Sequence, residues 1–172
     1  MEGPKLLGEA LAAGTDIQAV YLDAGESSED HRVLAERCAA SGARIFELQA
    51  GVLGRACDAT TPQPIAGVVT MLDVPIDGVP VLSTEAEVLA LVCLELQDPG
   101  NAGTVLRSAA AAGAGAVVFS AGSVDVYNPK SVRASAGALF RVPVVVGQGS
   151  PPELLDQLGE LGLRRLGTVP QG

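Results

Sequence analysis

The sequence contains few of the side chains on which many binding and redox sites depend. Its 172 residues include no tryptophan, three phenylalanines and two tyrosines, so the aromatic platforms that stack single-stranded bases are largely missing. Any contact with RNA is therefore expected to depend on phosphates and shape. The one histidine, His31, stands between Asp30 and Arg32, a polar setting typical of a solvated side chain rather than of a general base.

Cysteines and long apolar runs are also scarce. Cys38, Cys57 and Cys93 are widely spaced among apolar neighbours and form no Cys-x-x-Cys pair, which favours buried thiols in a reducing compartment and predicts no metal site. The N-terminus has no apolar run long enough for a signal peptide, and no stretch reaches the roughly 20 residues of a membrane span. We therefore expect a cytoplasmic protein with no membrane partner.

Positive charge is low overall but concentrated in one segment. The net charge of −9 argues against a nonspecific binder of polyanions. Residues 101–147 nevertheless contain only one acid, Asp125, and several bases, which makes this segment locally basic. The bases are Arg107, Lys130, Arg133 and Arg141.

Apolar residues, at 48%, are abundant enough for one large domain or two small ones. Helical and strand patterns alternate in both halves of the chain and are separated by a stretch rich in proline, glycine and acids. We expect an α/β domain at 1–74, a linker at 75–87 and a second, parallel-sheet α/β domain at 88–172.

The same patterns predict the individual elements. In the first domain we expect helices at 3–14, 27–42 and 50–58 and strands at 17–23, 43–49 and 65–72. In the second we expect strands at 88–97, 116–120, 142–146 and 163–170, with helices at about 102–112, after Asn128-Pro129, and at 151–162. The continuous apolar run at 88–97 is typical of a central strand buried on both faces.

Common catalytic motifs are missing from the sequence. It has no phosphate loop of the form G-x-x-x-x-G-K-[ST], no G-x-G-x-x-G fingerprint and no G-x-S-x-G nucleophile elbow. What remains is the segment DPGNAGTVLRSAAAAGAGAVVFS, in which Asn101 is expected in a loop after a strand and Arg107 on the following helix. A planar guanidinium on a thin Ala- and Gly-rich helix suits a phosphate, although a packed helix whose arginine pairs with an acid fits the spacing equally well.

A second segment, VDVYNPKSVRASAGALFRVPV, favours the anion-binding interpretation. It opens a helix at Asn128-Pro129 and places Lys130 and Arg133 three residues apart on one face. Ser135 and Arg141 follow, on either side of a turn of small residues. These side chains predict a surface for RNA phosphates.

Together the two segments resemble, in order and separation, the first and second motifs of the SpoU/TrmH family of SPOUT methyltransferases. The resemblance implies transfer of a methyl group from S-adenosylmethionine (AdoMet) to a ribose 2′-hydroxyl of RNA, with 23S rRNA favoured over tRNA. The first domain resembles the L30e-like RNA-binding fold of that family. The resemblance also implies that Asn101 shapes the catalytic loop and that Arg107 meets the ribose. Arg107 would either relay a proton with help from an RNA phosphate, or orient phosphate and stabilise the developing alkoxide.

The sequence departs from this family near its C-terminus. The later Gly-x-Glu-x-x-Gly and Ser-Leu-Asn-Val-Ser-like segments, which form the knotted AdoMet pocket, are not present, and only Thr168 matches its first edge. The chain is therefore expected to be an inactive fragment, with an incomplete AdoMet pocket, of an enzyme that is a homodimer when complete. The alternatives are a noncatalytic RNA-binding protein of the same fold and, more remotely, a plain α/β nucleotide-binding module.

Overall fold

The computed structural model describes residues 1–57, 61–79 and 88–168. Strands and helices alternate along these residues, which confirms the predicted α/β class. The helices are α1 Pro4–Ala12, α2 Glu29–Ala40, α3 Val52–Ala56, α4 Pro99–Ala111, α5 Pro129–Ser135 and α6 Pro151–Glu160. The strands are β1 Ile17–Asp23, β2 Arg44–Leu48, β3 Ile65–Val69, β4 Ala90–Cys93, β5 Ala116–Phe119 and β6 Val144–Val146.

The first sheet has the strand order β2-β1-β3, with β1 parallel to β2 and antiparallel to β3. Strand β1 has the predicted bounds and is central, and its apolar side chains are buried against α1 and α2. Cys38 of α2 belongs to this core, as expected for a buried thiol, and burial raises the pKa of its Sγ, whereas Cys57 and Cys93 are only partly buried. The first sheet with its helices therefore has a hydrophobic core of its own.

The second sheet is entirely parallel, with the order β4-β5-β6. All four residues of β5 are buried, so β5 is the central strand. The prediction that the apolar run at 88–97 forms a central strand buried on both faces is wrong, because β4 lies at the edge of the described sheet and is only half-buried. Leu89 and Leu94, at its two ends, are exposed.

The predicted fourth strand at 163–170 is also wrong over its described part. Residues 163–168 are irregular after α6, and residues 169–170 lie outside the described part of the chain. The edge of β6 is already occupied, because Asp73 forms a parallel bridge with Val144 and the Val74 N–H donates to the Val144 carbonyl at 2.8 Å. A strand needs a free sheet edge on which to pair, and residues 73–74 already occupy the edge of β6 that residues 163–168 would use.

The described part of the predicted linker is therefore packed against the second sheet. After Val74, a short 3₁₀ helix at Ile76–Gly78 leads to Val79, which is buried together with Leu154 and Leu158 of α6. Residues 80–87 lie outside the described residues. The domain boundaries at 74/75 and 87/88 stay a prediction.

The two α/β units contact each other through α1 and the turn after α5. The Glu9 carboxylate of α1 pairs with the Arg141 guanidinium, and Phe140 packs against the first hydrophobic core. Gly137 adopts a left-handed φ of 92°, and a Cβ at this position would lie 2.7 Å from Glu9 Cγ. Only glycine therefore allows this approach without strain.

Candidate functional site

The candidate site begins at the N-terminus of α4. Asp98 caps this helix, since its Oδ1 accepts the Asn101 N–H at 2.7 Å, and Pro99 occupies the first helical position. Asn101 therefore lies in the first turn of α4, and its predicted position in a loop is wrong. Its side chain is exposed there. The signal was present in the sequence, because Asp followed by Pro is a typical helix start.

Small residues allow α4 and α5 to approach closely. Gly103 is buried in α4, and a Cβ there would lie 2.3 Å from the Ala134 Cβ and 2.5 Å from the Ala134 carbonyl carbon. Such distances are not tolerated between backbone-fixed atoms. The Ala- and Gly-rich composition of α4 therefore serves contact with a neighbouring helix, which fixes the two predicted motifs against each other.

Arg107 extends from α4 across this helix contact. Its Nη1 donates to the Ala134 carbonyl at 2.5 Å, and its Nη2 donates to Thr104 Oγ1 at 3.3 Å. Thr104 Oγ1 in turn donates to the Gly100 carbonyl at 2.9 Å. No carboxylate of the described residues pairs with the Arg107 guanidinium, so the acid-paired alternative is not observed. The exposed guanidinium is held in place while it keeps N–H groups for an anion.

Ser135 does not reach the surface to which the sequence assigned it. It is fully buried, and its Oγ donates to the Val132 carbonyl at 2.7 Å. The hydroxyl closes the last turn of α5, while Ser135 also borders the concavity that Arg107 and Arg141 line, so its contact with RNA stays a prediction. The following residues, Ala136 and Gly137, both have positive φ, at 50° and 92°. They turn the chain sharply out of α5.

A concavity of about 280 Å³ lies between α4 and this turn. Arg107 and Arg141 both line it, with alanines of both elements between them. Arg141 is paired with Glu9, and its side chain is 59% exposed, so this ion pair stabilises the fold by about 0–1 kcal/mol. Two guanidinium groups beside one cavity favour an anion there.

The remaining predicted residues are distributed around this concavity. Lys130 is exposed on α5, where the Asn128 Oδ1 caps the helix by accepting the Lys130 N–H at 2.9 Å. Arg133 is exposed and lines a different cavity, between the two units. Neither cation has an ion pair among the described residues. The structure thus brings Arg107 and Arg141 together and separates both from Arg133.

Thr168 lies apart from these groups. It is exposed in the irregular segment after α6, where Leu166 is 77% exposed, and it lines neither cavity. Neither of these two cavities therefore gives Thr168 the concave, largely apolar site that an adenosine-containing cofactor requires. Among the described residues, no group of three or more His, Cys, Asp and Glu side chains is placed to hold a metal ion. No helix in the same ranges is long and apolar enough to cross a membrane.

Tyr127 is a residue that the sequence reasoning missed. Its hydroxyl donates to Asp73 Oδ1 at 3.1 Å and accepts the Leu72 N–H at 3.0 Å. Burial raises the pKa of this phenol to about 12, so it is protonated at neutral pH. Its hydrogen bonds hold residues 72–73 against the second unit. No sequence motif predicts such a long-range contact.

In fold, the chain is an α/β protein of the SPOUT methyltransferase class. It superimposes on the crystal structure of the SpoU methyltransferase AviRb from Streptomyces viridochromogenes in complex with AdoMet, with a TM-score of 0.76 and 29% identity. That match covers 93% of this chain and 58% of AviRb. Residues 88–172 match the SpoU rRNA Methylase family, as the resemblance implied.

Relatives match almost the whole chain. It is 33% identical to an uncharacterized tRNA/rRNA methyltransferase of Synechocystis, over 99% of this chain and 64% of that protein. It is 30% identical to the 23S rRNA (guanosine(2553)-2′-O)-methyltransferase RlmP of Bacillus subtilis, over 99% of this chain and 62% of RlmP. Human mitochondrial rRNA methyltransferase 3 is 33% identical over 84% of this chain and 34% of its own length. The chain thus spans between a third and just under two thirds of the length of these relatives.

Proposed function

We propose that the chain supplies the RNA-facing part of an AdoMet-dependent RNA 2′-O-ribose methyltransferase, with rRNA as its substrate. The proposal depends on the setting of Arg107. Its exposed guanidinium is held by the Ala134 carbonyl and Thr104, and no carboxylate among the described residues neutralises it. The match of residues 88–172 to the SpoU family and the names of RlmP and rRNA methyltransferase 3 support the choice of reaction and substrate.

The contacts of Arg107 favour one of its two possible roles. If the Arg107 guanidinium gave up a proton, its hydrogen bond to the Ala134 carbonyl would no longer be charge-assisted. In addition, an arginine side chain in a protein is always protonated. We therefore propose that Arg107 remains a cation, orients an RNA phosphate and stabilises the 2′-oxygen as it becomes negative. Proton removal from the 2′-hydroxyl then falls to another group, for which an RNA phosphate is our candidate.

AdoMet would supply the methyl group. AviRb binds AdoMet, which supports the cofactor for the family. The Thr168 contact stays a proposal, and residues outside the described ranges would have to complete that pocket. Lys130, Arg133 and Arg141 are the proposed phosphate contacts, and Asn101 is proposed to support the start of α4 beside the ribose. Homodimer formation and a cytoplasmic location stay predictions.

The observation that favours the alternative, a noncatalytic RNA-binding protein, is the exposed setting of Thr168. The deciding experiment compares rRNA and tRNA from the parent strain and from a strain that lacks this protein, with all 2′-O-methyl groups mapped. Loss of one methyl group from rRNA is the expected result, and restoration by the wild-type gene but not by an Arg107→Ala gene would assign it to this site. Loss from tRNA instead would correct the substrate, whereas unchanged methylation of both RNAs would favour the noncatalytic protein.

A further inference from the structure

The first sheet has two unlike faces. On one face, Val20 and Leu22 of β1 are buried in the hydrophobic core that the sheet forms with α1 and α2. Side chains alternate along a strand, so Tyr21 lies on the opposite face, together with its pairing partners Phe46 of β2 and Ala66 of β3. The side of the sheet that carries these three residues is its outer face.

Aromatic rings stack on the outer face. The rings of Tyr21 and Phe46 have their centroids 5.2 Å apart and their planes 16° from parallel. Phe46 is 39% exposed, because β2 lies at the edge of the described sheet, and Val68 of β3 is 46% exposed on the same face. Two of the five Phe and Tyr rings of the chain therefore belong to an apolar patch that is open to solvent.

A cation lies beside these rings. Arg44 precedes Phe46 by two residues on β2, and its Cζ lies 5.8 Å from the centroid of the Phe46 ring. No carboxylate of the described residues pairs with Arg44. Asp23, the acid of β1 on this face, is buried and accepts the N–H groups of Gly25 and Gly51. The outer face thus combines flat apolar surface with a guanidinium that no described acid neutralises.

We propose that the outer face binds an unpaired base of the RNA, stacked on the ring of Phe46. Proteins recognise unpaired RNA bases by stacking them on aromatic rings and on guanidinium planes, and both groups are present here. Arg44 is exposed, so its guanidinium can cover the other side of the base. A purely apolar partner would gain nothing from that charge, whereas a phosphate next to the base is attracted by it. Charge complementarity therefore favours RNA over an apolar protein surface.

This inference rests on the proposed function, since it names a second contact of the same RNA. Tyr21 and Val68 also line the cavity between the two units, and Arg133 of α5 contributes to the same lining. An RNA strand on the outer face would therefore continue toward the predicted phosphate contacts of α5. Stacking does not distinguish strongly between bases, so this contact would select unpaired over paired RNA rather than one sequence.

Tryptophan fluorescence can report stacking at this position. The chain has no tryptophan, so Phe46→Trp introduces a single indole on the outer face. The variant is titrated with a ten-nucleotide oligouridylate, with an abasic strand of the same length, and with an RNA duplex of ten base pairs. We expect the oligouridylate to quench the fluorescence, because its bases are free to stack, and the abasic strand and the duplex to leave it unchanged.

Further variants separate the ring from general apolar and charge effects, with affinities measured by fluorescence anisotropy of labelled RNA. Phe46→Leu keeps an apolar side chain but removes the ring, and it should weaken oligouridylate binding about tenfold without changing duplex binding. Ile45→Ala is the control, because Ile45 is 37% exposed on the other face of β2, and it should bind as wild type does. Arg44→Lys keeps the charge without the plane and should weaken binding less than Arg44→Ala. Circular dichroism checks that each variant is folded.

Absence of quenching by the oligouridylate, or equal affinities of Phe46→Leu and wild type, would overturn the proposal. Equal binding of the abasic strand and the oligouridylate by wild type would show that phosphates alone are bound, so the stacking site fails while the proposed RNA function stands. If none of the three RNAs binds, that function fails as well. A dimer of the wild-type chain that Phe46→Leu dissociates, with RNA binding unchanged, would show that a second copy covers the outer face instead.

Discussion

The contact between α4 and α5 differs in kind from the contact between the two α/β units. The first is made of small residues at backbone distance, with Gly103 against Ala134. The second combines the Glu9–Arg141 ion pair and the Tyr127 hydroxyl with the apolar packing of Phe140, and it encloses a cavity of about 540 Å³. The difference indicates that Arg107 is carried on a rigid support, while the larger cavity lies at a softer boundary.

The largest expected effect comes from breaking the rigid contact. Gly103→Val places carbon atoms where Ala134 already lies, so we expect the free energy of unfolding to fall by about 3 kcal/mol. Urea denaturation followed by circular dichroism measures it. Gly8→Ala is the control, because a Cβ at Gly8 of α1 has no neighbour within 4 Å and should stabilise the helix by about 0.5–1 kcal/mol. Equal stability of both variants would show that the helices can separate at no cost.

Arg107→Ala tests the group that this contact carries. If Arg107 stabilises the reacting oxygen, turnover of the enzyme that contains this chain should fall about 100-fold, with little change in AdoMet affinity. Arg107→Lys keeps the charge but loses the planar fork, and it should restore only part of the activity. Single-turnover methyl transfer and calorimetry measure the two quantities. Normal turnover with weakened AdoMet affinity would contradict the assignment.

Tyr127→Phe removes one hydroxyl whose hydrogen bonds join the two units. It leaves the Leu72 N–H and Asp73 without their partner, so we expect a loss of about 1–2 kcal/mol in thermal or urea unfolding. Because the folded-state pKa of Tyr127 is raised from 10 to about 12, its contribution is fully present below pH 10 and is lost as the pH rises through about 12. Tyr21→Phe, which changes a hydroxyl away from Asp73, is the matched control. If the stability of the wild-type protein depends on pH in this alkaline range in the same way as that of Tyr127→Phe, the role is refuted.

Lys130→Ala and Arg133→Ala test the exposed surface of α5. If each cation contacts one phosphate, each variant should weaken RNA binding by a similar factor for all sequences and lower the salt slope of log Kd by about 1. Arg37→Ala, a cation exposed on α2, serves as the control. Binding curves at several salt concentrations supply the slope. Slopes unchanged from wild type would show that these side chains are solvated and do not contact phosphates.

The smallest effect is expected at the ion pair between the units. Glu9→Gln should change the free energy of unfolding by less than about 1 kcal/mol, because the Arg141 side chain is largely exposed. It should also release Arg141 toward the concavity it shares with Arg107 and so strengthen phosphate binding slightly. A loss of several kcal/mol would show that the boundary between the units is as rigid as the helix contact.

The candidate site was only partly predictable from sequence. Arg107 and the helix start at Asn128 could be located because a motif and a capping pattern are local signals. The burial of Ser135 could not be predicted, because a hydroxyl at a helix end suits a phosphate and a carbonyl equally well. Whether Arg107 pairs with a carboxylate was equally undecidable, since the spacing allowed an acid partner that the described residues do not supply.

The sequence by itself determined the α/β class, the bounds of β1 and the family to which residues 88–172 belong, because periodicity, caps and motifs act over a few residues. Only the tertiary structure decided that β4 lies at the edge of the described sheet, that Asp73 and Val74 occupy the free edge of β6, and that Tyr21 and Phe140 line the same cavity. These features join residues far apart in the chain, and their free energies depend on which surfaces meet after folding, which no local pattern records.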